Sequence, residues 1–599
     1  MRWLLFAGLL LLATRAHADM FQDSSNAKLP EARNNLHVTG PNWFNVRDFG
    51  PSVGTGGDDT AAVTAAVAAA SAVGGTLYFP TAQYRLTSQT TPIILDNVTL
   101  VGDGAAVKNT HGTISTQFWI YSTATPAFQL RRNVNWRGLG AYYPNQSVAS
   151  PTPTVYPALF GVSNTAGQAA TNVSITDFVF VNPYVLFKVD NIALGSGAGR
   201  VRIDNGMGYC VYSCFWLTNG IADTLHIGPN TYWGVGADED AQNDPNRYLP
   251  KWTITNGEFI RVDTSGGART SVSAIILESQ IIFAYRYAVR VVSGTLNASL
   301  KPTYIDQVMT TLSIEGTGVM NGTLEVPGWI YSTDSFAGGS VGAETMPVVN
   351  CSAAPGVTRS QLTIKGTRFQ YSRGSAIETS GTCLDSLRIT GNQISNWGQS
   401  TTLGSYYGIK RADTGSAAVL IEGNTFRAAV GAGANQDGVL VEKVAGTVML
   451  SNNIFRVLDT PVAVTATDAG SVFMQGNYTS GTVGSLSFSD TSTAPAKVQD
   501  VNNNWDKPAV PTVSACGTSP STVIGNDSVG SFNAGSGVVT SCTVTFSRPK
   551  AGFPVCLVTH GFAWVKITAL DSTAFTMQFS ADSPNSKVYY RCDLPLIFP

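Results

Sequence analysis

Five related segments between residues 361 and 477 decide the fold of this chain. They read LTIKGTRF from Leu362, LRITGNQI from Leu387, VLIEGNTF from Val419, VMLSNNIF from Val448 and VFMQGN from Val472. Apolar residues occupy alternate positions in each segment, which is the period of a strand with one buried face. Each strand ends at a glycine or asparagine that can adopt a tight bend. We therefore predict five β-strands, each followed by a turn.

The bends recur at a spacing that indicates a repeat. They lie at positions 366, 391, 423, 452 and 476, which are 24 to 32 residues apart. Repeats of this length without a helix are typical of a stacked β-solenoid, in which each unit forms one coil. Stacking at about 4.8 Å would bring the asparagines that follow the bends into register. Because buried amides must be hydrogen-bonded, we interpret them as an internal ladder and not as ligands. They are Asn392, Asn424, Asn453 and Asn477.

Composition narrows the class of protein. The chain has 599 residues, of which 13% are charged, and its formal net charge is −2. A nucleic-acid surface needs a concentrated basic patch, so nucleic acid is not expected as a partner. The eight cysteines fit an oxidising compartment and show no metal-binding spacing with a histidine. The sequence leaves three pairings open for the last four, Cys516, Cys542, Cys556 and Cys592.

The N-terminus has the pattern of a signal peptide. Arg2 supplies the positive charge, residues 3–13 the apolar region, and Ala16-His17-Ala18 the small-residue cleavage site. Residues 1–18 are therefore excluded from the predicted fold, and 19–41 are interpreted as a polar leader. No later stretch is long and apolar enough to cross a bilayer. We expect a secreted or periplasmic protein without a membrane span.

A second motif precedes the repeats. It consists of Val46-Arg-Asp48-Phe49-Gly50, then Asp58-Asp59-Thr60 at the start of an alanine-rich helix predicted for 60–71, then Gly74-Gly75-Thr76-Leu-Tyr-Phe-Pro80. This opening resembles that of pectate lyase-like right-handed parallel β-helix proteins, in the branch with rhamnogalacturonase-like enzymes, epimerase-like proteins and phage tailspikes. With the repeats, the resemblance covers roughly residues 42–505. It implies an all-β, right-handed parallel β-helix with an N-terminal helical cap, in which Asp58 and Asp59 are structural.

The remaining segments are interpreted on the same plan. Further coils are predicted at Val173–Asp177, Val201–Asn205, Trp252–Asn256, Ile275–Ser279 and Leu312–Gly316. Prolines indicate a linker at 506–514. Alternating segments within 515–599 predict a small C-terminal β-sandwich that disulfides hold together. Tailspike relatives trimerise, so the resemblance leaves a homotrimer open.

One column of outward-facing carboxylates is the candidate for catalysis. Alignment of the coils places Glu278 and Glu315 on successive coils, and Asp204 two coils from Glu278. Carboxylates about 5 Å apart suit a retaining glycosidase, whereas about 10 Å suits an inverting one. Close carboxylates would also raise the pKa of one of them, as a general acid requires. The alternative is a solvated sheet face on which Glu315 pairs with Lys365.

The loop at 228–250 is the candidate for substrate binding. Aromatic side chains stack on sugar rings, and carboxylates bind sugar hydroxyls or transfer protons. The predicted binding residues are Tyr232, Trp233, Asp238, Asp240, Asp244, Arg247 and Tyr248. Its alternating acidic residues also resemble a calcium loop, although Asn243 and Leu249 replace the glycine and the final glutamate of that pattern. No cofactor is predicted, with calcium as one alternative and a plain acidic solvated loop as the other.

The catalytic motifs of the family are incomplete in this chain. Pectin hydrolases of this fold carry a Gly-His-Gly that is absent here, and Tyr407-Gly-Ile-Lys410 only partly matches their Arg-x-Lys. The resemblance therefore implies a polysaccharide partner without determining the reaction. Our first hypothesis is an exported glycoside hydrolase or polysaccharide lyase acting on a pectin-like or bacterial surface glycan. The alternatives are a non-catalytic, tailspike-like glycan-binding adhesin and a purely structural solenoid.

Overall fold

The computed structural model shows a chain built almost entirely of β-strands. In the part of the chain it describes, forty strands form one continuous parallel arrangement, and two four-stranded sheets follow it. The described residues are 42–50, 53–105, 115–146, 150–162, 169–190, 198–219, 223–238, 241, 244, 246–266, 270–333, 346–354, 356, 358–399, 405–413, 418–427, 435–442, 446–456, 460–465, 470–479, 488–490, 498–501, 503, 511–525, 529–546, 554–560, 564–582 and 584–593.

The N-terminal cap has the predicted form. Helix Thr60–Val73 begins where Asp58 accepts hydrogen bonds from the backbone N–H and the hydroxyl of Thr60, at 3.1 and 2.6 Å. Asp59 is buried and accepts from two backbone N–H groups of neighbouring segments. Gly74 ends the helix with a left-handed φ of 65°. Both aspartates therefore have structural roles, as the resemblance implied. Short 3-10 turns lie at Val46–Phe49 and Val235–Ala237.

Each full coil contributes one strand to each of three parallel stacks. In one coil the chain passes from Glu258–Asp263 to Ser271–Glu278 and then to Gln280–Phe283. Each of these strands pairs in parallel with its equivalent in the next coil. We call the stack that contains Ser271–Glu278 sheet A, the stack that contains Gln280–Phe283 sheet B, and the stack that contains Glu258–Asp263 sheet C.

The strand bounds define the three stacks. Sheet A contains Trp43–Asn45, Thr76–Phe79, Val98–Gly102, Val134–Arg137, Thr224–Ile227, Ser271–Glu278, Ser360–Lys365, Leu384–Thr390, Ala418–Glu422, Thr447–Ser451, Ser471–Gln475 and Val498–Val501. Sheet B contains Ala82–Leu86, Thr116–Ile120, Gly140–Tyr142, Thr231–Trp233, Gln280–Phe283, Tyr304–Asp306, Trp329–Tyr331, Arg368–Tyr371, Gln393–Ser395, Thr425–Arg427, Ile454–Arg456 and Tyr478–Thr479. Sheet C contains Ile93–Leu95, Phe128–Leu130, Phe160–Val162, Val185–Val189, Ser213–Leu217, Glu258–Asp263, Val349–Cys351, Ile377–Gly381, Ser405–Asp413, Asn435–Val441, Val462–Val464 and Phe488–Asp490. Four long strands bend between stacks: Ala170–Val181 and Ala198–Tyr209 from A to B, and Tyr287–Lys301 and Thr310–Leu324 from C to A.

The predicted asparagine ladder is confirmed. Nδ2 of Asn392 donates to Oδ1 of Asn424 at 2.9 Å, and the contact repeats to Asn453 at 3.0 Å and to Asn477 at 2.8 Å. Asn503 adds one further step. The first four side chains are buried, and each Nδ2 also donates to a backbone carbonyl. Stacking of the coils therefore satisfies these amides inside an otherwise apolar core.

Two of the predicted coils are wrong in their placement. Residues 252–256 lie in helix Tyr248–Asn256 and not in a strand. This helix belongs to an insertion that leaves sheet B after Trp233 and joins sheet C at Glu258. Residues 312–314 form a strand as predicted, but it belongs to sheet C and not to sheet A. A strand in either sheet has the same alternating period, so the local pattern does not distinguish them.

The C-terminal strands form the predicted β-sandwich. Two antiparallel four-stranded sheets enclose a core of their own. One contains Thr512–Ser514, Ser541–Thr545, Val565–Leu570 and Ala574–Phe579, and the other contains Ile524–Gly525, Val529–Asn533, Val555–His560 and Lys587–Asp593. Disulfides Cys516–Cys542 and Cys556–Cys592 lie in this unit, and Cys210–Cys214 and Cys351–Cys383 lie in the coils. The structure thus resolves the pairing that the sequence left open.

Several predicted features lie outside the described residues. These are the signal peptide at 1–18, the leader at 19–41 and most of the linker at 506–514, so they stay predictions. No helix within the described ranges is long and apolar enough to cross a membrane.

Candidate active site

The structure separates the two glutamates that the sequence placed side by side. Glu278 ends a strand of sheet A and is in register with Lys301 of the next coil. Glu315 follows Ile314, whose strand segment pairs within sheet C. The predicted adjacency of Glu278 and Glu315 is therefore wrong. The reason is that one long strand, Thr310–Leu324, belongs to both sheets, and its sheet C half carries the motif that resembles a sheet A strand.

Asp204 and Glu278 do share a column of sheet A. Ile203, Ile227 and Leu277 are in register on successive strands, so Gly228 lies between Asp204 and Glu278. The two carboxylates are therefore two coil steps apart, about 10 Å, as predicted. Arg202 donates from Nε to Asp204, and His226 Nε2 lies 3.1 Å from Oε2 of Glu278. The Glu278 side chain is 54% exposed. Ion pairs at such a solvated face contribute little energy, and neither residue lies in the same sheet as Glu315.

Glu315 belongs instead to a charged cluster on sheet C, which we define as Glu258, Arg261, Arg290 and Glu315. Oε2 of Glu315 accepts hydrogen bonds from Nη2 and Nε of Arg290, at 2.8 and 3.2 Å. Oε1 of Glu258 accepts from Nη1 of Arg290 at 2.7 Å and from Nη1 of Arg261 at 3.1 Å. One guanidinium therefore bridges two carboxylates that come from the coils on either side of it.

The alternative pairing expected for Glu315 is also corrected. Lys365 lies 3.8 Å from Glu325 of sheet A, which continues the column that contains Glu278 and Lys301. The charged residues of sheet A thus alternate in sign along exposed positions. This arrangement matches the alternative expectation of a solvated sheet face, but it involves Glu325 and not Glu315.

The two carboxyls of the charged cluster have pKa values displaced in opposite directions. Glu258 is 1% exposed, and this burial raises its pKa despite the two guanidinium groups. Its Oε2 lacks a hydrogen-bond partner among the described residues. Burial also acts to raise the pKa of Glu315, but hydrogen bonds from Arg290 and from Ser313 Oγ, the latter at 2.6 Å, lower it below its ordinary value. A carboxyl with a raised pKa beside one with a lowered pKa fits the acid and the base of a glycosidase.

Aromatic side chains border the charged cluster. Tyr184 and Tyr212 stack with ring centroids 5.2 Å apart, and Trp252 of the insertion helix lies 6.0 Å from Tyr184. Trp216 meets Tyr212 edge-on at 5.5 Å, and the Arg261 guanidinium lies 5.6 Å from its ring. All four rings are half-buried. Aromatic surface beside a few polar groups is the usual lining of a small-molecule or sugar site.

The insertion gives several predicted binding residues structural roles. Trp233 is fully buried in the core, and Asp238 is 1% exposed and accepts a hydrogen bond from Asn182 Nδ2. The predictions that Trp233 and Asp238 contact substrate are therefore wrong, because Trp233 packs inside the apolar core and the Asp238 carboxylate is bonded to Asn182. The Asp244 carboxylate accepts hydrogen bonds from the backbone N–H of Asn246 and of Tyr248, both at 3.0 Å, at the start of the insertion helix. Asp238 and Asp244 thus have separate hydrogen-bond partners.

The remaining predicted binding residues are dispersed. Tyr232 is half-buried on sheet B, and Tyr248 is half-buried at the first position of the insertion helix. Arg247 precedes that helix with a left-handed φ of 50°. Asp240 lies outside the described residues. Within the described ranges no group of three or more histidine, cysteine, aspartate or glutamate side chains is arranged to hold a metal ion.

Sequence reasoning missed Glu258 and Arg290. Glu258 follows a segment that was interpreted as a strand and is a helix, so its own strand was not recognised. A repeat could have found both residues, because Glu258-Phe-Ile-Arg261 and Tyr287-Ala-Val-Arg290 are equivalent segments of adjacent coils. Their alternating pattern places the two arginines on one outward face.

Comparison with known proteins gives a family match for the N-terminal part. Residues 43–136 match the model of a family described as rhamnogalacturonase A/epimerase, pectate lyase-like. This segment contains the cap and the first coils, and it ends before the charged cluster. The comparison with curated proteins found no match.

Solved structures with similar architecture are distant in sequence. The catalytic unit of a thermostable GH87 alpha-1,3-glucanase from Streptomyces thermodiastaticus strain HF3-3 is 15% identical, with a TM-score of 0.42, over 74% of this chain and 70% of that one. A tailspike protein of E. coli bacteriophage HK620, solved in complex with a pentasaccharide, is 11% identical, with a TM-score of 0.43, over 92% of this chain and 94% of that one. The stacked parallel coils form a parallel β-helix, and its N-terminal part, residues 43–136, is similar to this pectate lyase-like family.

Proposed function

We propose that this protein is an exported polysaccharide hydrolase and that the charged cluster on sheet C is its catalytic centre. One observation carries the proposal: two carboxyls with oppositely displaced pKa values share the guanidinium of Arg290. The four disulfides support an oxidising compartment outside the cytoplasm. The matched family supports a pectin-like or bacterial surface glycan as the substrate class.

The roles of the two carboxyls follow from their environments. Glu258 is the general acid, because burial keeps its proton bound to higher pH than usual. Glu315 is the base, because its hydrogen bonds keep it ionised. In the reaction Glu258 protonates the glycosidic oxygen as its bond to the anomeric carbon breaks. Glu315 takes a proton from the water that attacks that carbon, so that each cleavage consumes one water molecule.

The neighbouring residues position the carboxyls and the substrate. Arg290 donates to both carboxyls and stabilises the charge that appears on Glu258 after its proton is transferred. Tyr212 and Trp252 offer half-buried ring faces beside the charged cluster, and these bind a sugar ring. This division is that of a glycosidase, with aromatic groups for binding and carboxyls for proton transfer.

The test is a cleavage assay with matched variants. Wild type, Glu258→Gln and Glu315→Gln are incubated with polygalacturonate, rhamnogalacturonan and bacterial surface polysaccharides, and reducing ends and the ultraviolet absorbance of unsaturated products are measured. Glu278→Gln is the control, because it removes an exposed carboxylate of sheet A. We expect wild type and the control to release reducing ends without unsaturated products, and both other variants to lose this activity. Unsaturated products would instead establish β-elimination and refute the assigned roles.

A second candidate function is a non-catalytic glycan-binding adhesin. The observation that favours it is that both glutamates of the charged cluster are ion-paired, as they are in a purely structural network. Retained binding of a polysaccharide with no product on any substrate would support the adhesin over the hydrolase. The homotrimer stays a prediction, which light scattering of the purified chain tests.

A further inference from the structure

We infer that sheet B carries a second saccharide-binding site, separate from the charged cluster. It consists of Tyr304, Trp329, Tyr331 and Tyr371 with Asp306 among them, and we call it the aromatic site. The proposed ligand is a neutral hexose-rich glycan. The ligand class rests on the proposed function, whereas the site itself rests on the geometry that follows.

Four aromatic side chains face outward on successive coils of sheet B. Tyr304 and Trp329 are in register, with ring centroids 4.4 Å apart. Tyr331 and Tyr371 are in register in the next outward column and stack at 4.9 Å, with their planes inclined by 27°. All four are half-buried, and in the first two strands the intervening residues, Ile305 and Ile330, are buried in the core. Outward positions on a sheet are ordinarily polar, so paired aromatic rings there indicate contact with a ligand.

Asp306 supplies a polar group within this aromatic surface. It is in register with Phe283 on one side and with Tyr331 on the other. Burial raises the pKa of Asp306 to about 6. The hydrogen bond from Gln307 Nε2, which is long at 3.4 Å, acts in the opposite direction but does not cancel this shift. A carboxyl that titrates near neutral pH accepts a hydrogen bond from a sugar hydroxyl when ionised and donates one when protonated. A largely aromatic lining with a small number of polar groups is characteristic of ligand sites.

Tyr232 adds a hydroxyl group near the same carboxyl. Burial raises the pKa of the Tyr232 phenol, and the charge of Asp306 raises it further. Its side chain is half-buried on sheet B, two coil steps before the strand of Asp306. Tyr232 was predicted from the sequence to bind substrate, and this location supports that role at the aromatic site and not at the charged cluster.

The charge of the site favours a neutral glycan over an acidic one. Asp306 is half-buried, so its negative charge acts at short range on a bound group and repels the carboxylate of a uronic acid. Arg368, on the strand that follows Trp329 in sheet B, is exposed, and its charge is screened by solvent and salt. The C–H faces of neutral sugar rings match the paired aromatic rings. The short-range repulsion therefore decides the class of ligand.

The test measures binding directly and not cleavage. The full chain is analysed by affinity electrophoresis and tryptophan fluorescence with dextran and galactomannan as neutral probes and polygalacturonate as the acidic one. We expect Trp329→Ala and Tyr331→Ala to weaken binding of at least one neutral probe by about tenfold or more. The matched control is Tyr478→Ala, which removes an exposed ring from a remote coil of the same sheet. Trp329→Phe, which keeps a ring, should restore part of the binding, and circular dichroism confirms that each variant is folded.

The outcomes separate this inference from the proposed function. Wild type that binds neither neutral probe, Trp329→Ala that binds as tightly as wild type, or stronger binding of polygalacturonate than of both neutral probes overturns the aromatic site as assigned. Glu258→Gln and Glu315→Gln should retain neutral-glycan binding even where cleavage is lost. If no variant or wild type cleaves any polysaccharide but Trp329→Ala loses binding, the hydrolase proposal fails and the aromatic site stands.

Discussion

The charged cluster on sheet C and the aromatic site on sheet B each contain a carboxyl removed from solvent, but the partners of that carboxyl differ. Glu258 is ion-paired with Arg261 and Arg290, whereas the hydrogen bonds to Asp306 come from Gln307. Burial raises the pKa of both carboxyls. In the charged cluster the guanidinium groups oppose that shift, and Arg290 links Glu258 to the second carboxyl, Glu315. In the aromatic site the weak compensation leaves a carboxyl suited to hydrogen bonding with hydroxyl groups. The same stack of coils thus carries an ion-paired surface and an aromatic surface, which differ in the side chains placed beside the acid.

The largest effect is expected for the glutamates of the charged cluster. Glu258→Gln and Glu315→Gln should each lower turnover by about 100-fold or more, since general acid–base groups contribute that much. Activity in wild type should fall as pH drops through the lowered pKa of Glu315, and also as pH rises through the raised pKa of Glu258. A pH–rate profile of wild type checks this bell shape, whose two limbs belong to the coupled pair. A profile with a single limb would contradict the division of roles.

Removal of the bridging guanidinium is expected to have the next largest effect. Arg290→Met leaves the buried carboxyl of Glu258 and the half-buried carboxyl of Glu315 without their shared partner, which should lower the free energy of unfolding by about 3 kcal/mol. Urea denaturation followed by tryptophan fluorescence measures the change. Arg368→Met on sheet B is the control, because that side chain is exposed and should change stability by less than about 0.5 kcal/mol. Equal stability of Arg290→Met and wild type would show that the bridge does not stabilise the coils.

The smallest effect concerns the acid of the aromatic site. Its pKa is about 6 in the folded chain, against an ordinary value of 3.8, so the folded state holds the proton more tightly than the unfolded state. The stability of wild type should therefore fall as pH rises between about 4 and 6, and the cost should remain above that range. Asp306→Asn removes this cost and should be more stable than wild type near neutral pH by about 1 kcal/mol, which is less than the full pKa shift implies because solvent screens the half-buried carboxyl.

Unfolding measured across the pH range distinguishes this titration from a general effect. The difference between Asp306→Asn and wild type should vanish below about pH 4, where the native carboxyl is protonated in both states. Glu278→Gln, which changes an exposed carboxyl, is measured beside them as the control for the replacement of an acid by its amide. A constant advantage of Asp306→Asn at all pH values would mean that the substitution acts through packing and not through the proton.

Local sequence patterns predicted the parts of the fold that depend on neighbouring residues. Alternating apolar positions predicted the strands, and Asp58 and Gly74 bounded the cap helix. The asparagine ladder was predictable because each Asn follows a bend at an equivalent point of its coil, and buried amides must find partners. The prediction of a strand at residues 252–256 was wrong because it also relied on the local pattern. A short alternating run is compatible with a strand or a helix, and tertiary contacts determine which one forms.

The sequence by itself thus determined that this chain stacks coils with an apolar interior and carries polar and aromatic groups outside. Only the tertiary structure decided which of those groups meet. Glu258, Arg290 and Glu315 are joined across separations of 32 and 25 residues, and Lys301 takes the place beside Glu278 that was expected for Glu315. The physical reason is that a period of two specifies the face of a strand but not its sheet. The sheet to which a strand belongs depends on where the chain bends between sheets, and the position of that bend is determined by stacking on the neighbouring coils.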